Sequence, residues 1–344
     1  MHIILDAMGS DNHPDPEIHA ALEAASLFGD EIILVGHQDQ IRRLMPSDSQ
    51  PARIRVIHAP EILEMTDKPA ENARRKAQNS MAIGMDLIKS GEGDAFITAG
   101  NTGGAMANAL FRLGRIRGVK RPALTGLFPV RGGHCVVLDI GANADCKPEY
   151  LLQFALMGSI YAEKVLHRDK PKVGLLSNGE EAGKGNELVK EAYPLLVNSG
   201  LNFIGNVEGK ELFGGQADVV VTDGFTGNVL LKSSEAVAKL ITEVLRQELT
   251  SSLRTKAGAL LAKPAFANIK KMMDPSEVGA LPLMGIDGLV FVGHGNSNAR
   301  ALVNAIGGAR QAVEVGLLSA IRDTIQERLS QHPVAPLVNT DPDR

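Results

Sequence analysis

The sequence predicts an α/β fold of three layers, α/β/α, on a largely parallel sheet. Short β-branched runs alternate with longer amphipathic runs almost from end to end. Most of the short runs are apolar without alternation, as strands covered on both faces require. Taken in order, the strand Ile3–Leu5 leads into the loop Asp6–Asp11 (DAMGSD) and a helix over Asp15–Phe28. Strands Ile32–Val35 and Arg53–Ile57 follow, then a helix over Pro69–Ser90. Strand Ala95–Thr98 ends in Ala99–Gly104 (AGNTGG) before a helix over Gly103–Arg115. Strands Ala123–Leu127 and Cys135–Ile140 come next, the second running into Asp139–Asn143 (DIGAN) and a helix over Pro148–Leu166. Strand Lys172–Leu176 opens onto Ser177–Glu187 (SNGEEAGKGNE) and a helix over Gly185–Ser199. Strands Phe203–Gly205 and Asp218–Thr222 precede Thr222–Asn228 (TDGFTGN) and a helix over Asn228–Leu249. The last strand, Leu289–Val292, meets Gly293–Asn298 (GHGNSN) and a helix over Ser297–Leu329. A single α/β/α domain over residues 1–330 is expected, with a division into two lobes left open. A flexible tail over 331–344 is expected from its three prolines and polar residues.

Composition narrows the function. The chain has 344 residues with 36 basic and 40 acidic side chains, a net charge of −4. It lacks the basic excess that holds a nucleic-acid duplex. Two cysteines make neither a disulfide framework nor a zinc ribbon and suit a reducing cytoplasm. The N-terminus has no basic flank before a long apolar run, so a signal peptide is not expected. Nowhere do 18 consecutive apolar residues occur, so no membrane span is expected.

Six strands thus end in small, glycine-containing loops. Glycine lets backbone approach a ligand closely, and exposed N–H groups at helix starts favour an anion. Other chemistries lack their residues. The GxGxxG fingerprint after the first strand, the Walker GxxxxGK[ST] pattern, a GxSxG elbow and an HExxH pair are all absent. Cys135 reads as core, and Cys146, beside Lys147, as a weak candidate for a thiol of lowered pKa.

The loops carry a family resemblance. LDAMGSD (5–11), DAFITAGNTGG (94–104), GRIRGVKRPAL (114–124) and VLDIGANADCKPEYLLQFALMGSIYAEKV (137–165) lead it. GKGNELVKEAY (183–193), FIGNVEG (203–209), DVVVTDGFTGNVLLKSSE (218–235) and HGNSNA (294–299) complete it. The chain resembles the phosphate acyltransferases of bacterial phospholipid synthesis from Leu5 to about Ala305. Ser10 stands where that family usually has Gly, Gly104 where it has Ala, and Tyr150 where it often has His. The resemblance implies a fold like isopropylmalate dehydrogenase and phosphotransacetylase, a homodimer, and no metal or organic cofactor. It implies an acyltransferase that makes acyl phosphate from fatty acyl-acyl-carrier protein and inorganic phosphate. A membrane glycerol-3-phosphate acyltransferase would consume the product, placing the enzyme in the cytoplasm, peripherally on the inner face of the membrane. A nicotinamide-dependent hydroxy-acid dehydrogenase on the same fold, or a non-catalytic carrier-binding scaffold docked on the membrane, are the alternatives.

On that reading phosphate attacks a thioester. The site must hold phosphate beside the carbonyl and stabilise an oxyanion. Lys184, between Gly183 and Gly185, is the expected cation, and Asn228 an amide donor, with His294 as a proton donor to the departing thiolate. Ser10, Asn101, Thr102, Gly103, Asn143, Asp223, Gly227 and Asn298 are expected to bind phosphate or substrate, with helix capping the competing explanation for the asparagines.

Two surfaces complete the reading. Arg112, Arg115, Arg117, Lys120 and Arg121 form a basic cluster suited to an acidic carrier protein, or else a solvated face. Thr250–Met273 has five basic residues, no acid until Asp274, and apolar positions at helical spacing. A basic amphipathic helical hairpin at about 250–273 would place Leu253, Leu260, Leu261 and Phe266 on anionic lipid, or else against a second subunit.

Overall fold

The computed structural model of the protein describes residues 1–45 and 53–331. The expected tail lies, from residue 332 onward, outside the described residues. The elements are β1 (His2–Asp6), α1 (Asp15–Phe28), β2 (Glu31–Gly36), α2 (Gln38–Leu44), β3 (Ile54–His58), α3 (Pro69–Arg75), α4 (Ser80–Ser90), β4 (Ala95–Thr98) and α5 (Thr102–Arg112). Then come β5 (Ala123–Val130), β6 (Gly133–Leu138), α6 (Pro148–Lys164), β7 (Val173–Leu176), α7 (Glu187–Val197), β8 (Phe203–Val207), α8 (Gly209–Gly214), β9 (Val219–Val221) and α9 (Gly224–Leu249). The chain closes with α10 (Leu253–Leu261), α11 (Lys263–Met273), β10 (Ala280–Met284), β11 (Val290–Gly293), α12 (Ala299–Glu314) and α13 (Leu317–Gln331).

Every expected strand is present, and the differences have local causes. The expected helix over Pro69–Ser90 is two helices, because buried Asn79 caps α4 by accepting from Ala82 N at 3.0 Å. The expected helix over Ser297–Leu329 breaks at Gly316, whose φ is +64°. The short α2 and α8 escape the sequence reading, as does β10, since Pro282 argues against a strand in ALPLM. Pro282 is tolerated because β5 pairs only with Leu283 and Met284, leaving Pro282 paired on its β11 side alone. The helix expected from Asn228 starts four residues earlier, at Gly224, capped by Asp223.

Eleven strands form one sheet in the order β3-β2-β1-β4-β11-β10-β5-β6-β9-β7-β8. β10 is antiparallel to β11 and β5, and β5 is antiparallel to β6; the other neighbours are parallel. These three reversals make β6, β7, β8 and β9 run opposite to β1, β2, β3, β4 and β11. The six glycine loops therefore divide into two groups of three rather than sharing one row of strand ends. From β1 to β9 is six steps across the sheet. A twist of about 20–25° per step sums to about 120–150° and swings the reversed ends back toward the first group.

Alternation along the strands builds the layers. Ile3, Leu5, Val136, Leu138, Val219 and Val221 enter one core that continues across both halves beneath α1, α12, α13, α6 and α7. On the other face there are two cores. Ile4, Ile33, Phe96 and Val290 pack under α4 and α5. Val137, Val220, Phe128 and Val207 pack with Leu230 and Leu231 of α9. Leu124 of β5 touches both. One face is thus continuous and the other is divided into two lobes, with the seam at Leu124.

Candidate active site

At the first group of strand ends, Asp6 closes β1 at 1% exposure. Its carboxylate accepts from Met8 N at 3.1 Å and from Thr98 Oγ1 at 2.7 Å, and Thr98 Oγ1 accepts from Gly100 N at 2.9 Å. The loops after β1 and β4 press together here: a Cβ on Gly9 would lie 2.9 Å from both Gly100 N and Thr98 Oγ1. Ser10 is buried, and its N–H donates to Glu17 Oε1 at 3.0 Å. Burial raises the Glu17 carboxyl to about 7, against hydrogen bonding from Ser10. Asp11 N donates to Gly295 O at 2.7 Å, which ties the β11 loop, and with it exposed His294, to the β1 loop.

Asn101 caps α5 through Gly104 N at 2.9 Å, while its Nδ2 donates to the carbonyls of Glu64, Met65 and Asp67 at 3.1–3.3 Å. Its amide is committed inside the protein. Asn298 caps α12 through Ala301 N at 3.0 Å. Thr102 and Gly103 open α5, where N–H groups have no partner within the helix. Gly103 and Gly104 also have a packing cause: a Cβ there would lie 2.6 Å from Pro69 Cγ and 1.9 Å from Leu63 Cδ2.

At the second group, Asp139 follows β6, fully buried. Its carboxylate accepts from Leu124 N, Gly141 N, Ala142 N, Asn143 N and Asn143 Nδ2, at 2.7–3.1 Å. Asn143 Nδ2 also donates to Pro122 O at 2.7 Å, so this amide braces the loop. Burial raises the Asp139 carboxyl, and these hydrogen bonds oppose the rise. The first turn of α9 lies directly on the loop, since a Cβ on Gly227 would be 1.9 Å from Asp139 O. Asp223 caps α9 with both oxygens on Thr226, and Gly227 N donates to Asp223 O at 2.9 Å. The expected anion contact from Gly227 N–H is therefore already taken by the helix start. Asn228 is exposed and lies over Gly141.

β7 neighbours β9, so the loop bearing Lys184 sits beside the Asn228 turn. Lys184 is exposed, its stem folded against Gly179, and its N–H donates to Glu181 O at 2.9 Å. The structure thus gathers Asn143, Asp223, Gly227 and Asn228, with Lys184 on the adjoining strand end. Ser10, Asn101, Thr102, Gly103, His294 and Asn298 belong to the other group. Sequence reasoning passed over Asp139, whose only signal was its place at a strand end before Gly141. It also passed over Glu17, which lies inside the expected helix Asp15–Phe28. Cys146 moves opposite to expectation: burial, with the nearby Asp139, Asp223 and Asp145 carboxylates, pushes its thiol up to about 12. Cys135 is core, as expected, with its thiol also pushed up by burial to about 12.

The basic cluster is partly spent. Arg112 pairs with Asp86 at 2.9 Å and donates to Ala77 O, and Arg115 donates to Lys120 O. Arg117, Lys120 and Arg121 remain exposed. Packing of α3 on α5 adds Arg74, whose guanidinium lies 4.9 Å over the ring of exposed Phe111. In the helical hairpin, now α10 and α11, Leu253 and Leu261 are 85% exposed and Leu260 72%, whereas Phe266 is half-buried. The exposed apolar face extends back along α9 through Val237, Leu240, Ile241 and Val244.

The fold is that of phosphotransacetylases. The enzyme from Streptococcus pyogenes matches with a TM-score of 0.58 at 17% identity, over 91% of this chain and 94% of that one. A 4-hydroxythreonine-4-phosphate dehydrogenase from Klebsiella pneumoniae shares it, with a TM-score of 0.55 at 15% identity over 91% and 99%. Sequence relatives are much nearer. The phosphate acyltransferase of Pelotomaculum thermopropionicum is 45% identical over 95% of both chains, and that of Elusimicrobium minutum 47% over 95% of this chain and 96% of its own. The family model described as fatty acid synthesis protein matches residues 1–320. With nearly its whole length matched in this way, the chain belongs to the phosphate acyltransferase family.

Proposed function

We propose that the protein reversibly transfers a fatty acyl group from acyl-carrier protein to inorganic phosphate, the first step toward phosphatidic acid. Lys184 carries the reading: it is an exposed cation on a glycine loop, beside the strand whose turn presents Asn228. A phosphate oxygen bonds to the thioester carbonyl carbon, and the carbonyl π pair moves onto its oxygen. As that oxyanion collapses, the C–S bond breaks and the thiolate leaves with the electron pair, taking a proton from His294 or water. Phosphate is itself the nucleophile and a thiolate leaves readily, so no covalent enzyme intermediate is needed. Lys184 holds phosphate and Asn228 donates to the oxyanion.

The carrier protein, being acidic, docks on Arg117, Lys120 and Arg121. The apolar face of α9 pairs with a second copy, and the α10–α11 hairpin rests on anionic lipid at the inner face of the membrane. No helix among the described residues is long and apolar enough to cross a bilayer. Release there hands a labile, amphiphilic product to the membrane acyltransferase.

The test is to incubate acyl-carrier protein, phosphate and enzyme and to trap acyl phosphate with hydroxylamine. Carrier binding without phosphate-dependent turnover would leave a scaffold, and nucleotide protection against heat would favour a dehydrogenase. Co-sedimentation with anionic vesicles, for wild type and Leu260→Glu/Leu261→Glu, reads the hairpin. A dimeric variant that still sediments removes the hairpin from the membrane; one that dissociates makes it a subunit contact.

A further inference from the structure

The Lys184 loop is held from below and from one side by residues that the chemistry above does not use. In the β7–β8 ladder Leu175 is paired with Asn206, so Asn206 and, two residues beyond Leu175, Ser177 share one face of the sheet. The loop folds over that face. Asn206, 5% exposed, donates from Nδ2 to Glu181 O at 2.9 Å, and Lys184 N donates to the same carbonyl. Gly185, at φ +99°, lies directly above Ser177, with its Cβ position 3.2 Å from Ser177 Oγ. Asn206 Oδ1 and Ser177 Oγ are buried without hydrogen-bond partners, so the seat beneath the loop is not saturated. At the side, Lys210 at the start of α8 pairs with Glu180 at 2.7 Å.

We propose that Asn206, assisted by Lys210, is a positioning residue for Lys184: its amide, through the Glu181 carbonyl, sets where the Lys184 ammonium can reach. This rests on the reading of Lys184 as the cation that holds phosphate. A flexible four-carbon side chain on a glycine loop has no fixed reach of its own. The loop therefore needs a rigid support, and the buried Asn206 amide on β8, the edge strand paired to β7, supplies one. The unpartnered Asn206 Oδ1 and Ser177 Oγ give the loop a second set of bonds to take up as it settles on an anion. Misplacing a catalytic group by about 1 Å costs up to about 100-fold in rate.

The experiment is a double-mutant cycle in the acyl phosphate assay, with inorganic phosphate binding measured by calorimetry. Asn206→Asp keeps the shape and removes the donor, and it should lower kcat/KM for phosphate by about 10- to 100-fold. Lys210→Gln cuts an exposed ion pair, cannot unfold the core, and should lower it by about two- to fivefold. Made on top of Lys184→Ala, both changes should have no further effect, because both act through Lys184. A purely structural Asn206 would lower kcat/KM equally in both backgrounds, and that result overturns the proposal. If Lys184→Ala is impaired while Asn206→Asp and Lys210→Gln match wild type, the positioning role alone fails. If Lys184→Ala matches wild type, the reading of Lys184 fails and this inference falls with it.

Discussion

Two strand ends in this molecule start from the same residues and reach different physical states. Both β1 and β6 run into a buried aspartate followed by a glycine loop, Asp6 before DAMGSD's glycine and Asp139 before Gly141. Burial raises both carboxyls. Asp139 then collects five donors, three of them backbone N–H groups of its own loop, one from Leu124, and one from the Asn143 side chain. Asp6 collects Met8 N and the Thr98 hydroxyl, and a second buried acid, Glu17, takes the Ser10 N–H. A strand-end aspartate is therefore not a role. One is the internal template of a loop on which α9 is built; the other shares its loop with a carboxyl that keeps its proton near neutrality.

The largest test of this contrast is Asp139→Ala against Asp6→Asn. Asp139→Ala strands four backbone N–H groups and leaves the Asn143 amide only Pro122 O, and should cost about 4 kcal/mol or more in denaturant unfolding. Asp6→Asn keeps an acceptor for Met8 N and should cost about 1–2 kcal/mol. Equal losses would erase the distinction between the two ends.

Next is the division of chemistry between the groups. Lys184→Ala should lower kcat/KM by about 100- to 1000-fold with an unchanged melting temperature, since the side chain is exposed. His294→Ala, in the other group, should cost about tenfold or less, because a thiolate can take its proton from water. A larger loss at His294 would move the chemistry to the first group.

The third test is the pH dependence of stability. Burial lifts Glu17 from 4.5 to about 7, so between those values the native state keeps a proton that the unfolded chain has lost. Stability should thus fall as pH rises through pH 4.5–7 and level off above about 7. Glu17→Gln keeps an acceptor for Ser10 N and should flatten that window, gaining up to about 3 kcal/mol over wild type at pH 8. The same slope in both proteins would exclude Glu17 as its source.

The smallest effect is on the exposed basic cluster. Arg117→Glu/Arg121→Glu should raise KM for acyl-carrier protein severalfold, with wild-type binding weakened by added salt. Arg112→Gln should act mainly on stability, by under about 1 kcal/mol, since its guanidinium is engaged by Asp86 and Ala77 O. A KM effect confined to Arg112 would reverse that assignment.

The sequence by itself determined the layers, because strands buried on both faces and helices buried on one leave opposite signatures in hydrophobic spacing. It placed β4 and α1 to the residue and marked the loops around Lys184 and Asn228, since glycine and asparagine at strand ends announce themselves locally. Tertiary structure alone decided the rest. The reversal at β10 and β5, which splits six loops into two groups, is a pairing between segments about 160 residues apart, and Pro282 hid one of them. Whether an amide faces ligand or protein was equally unreadable: Asn101 and Asn143 spend theirs on carbonyls at 64–67 and 122, which only folding brings near. Spacing records which residues share a strand or helix face; it carries no record of which distant backbone group that face will meet.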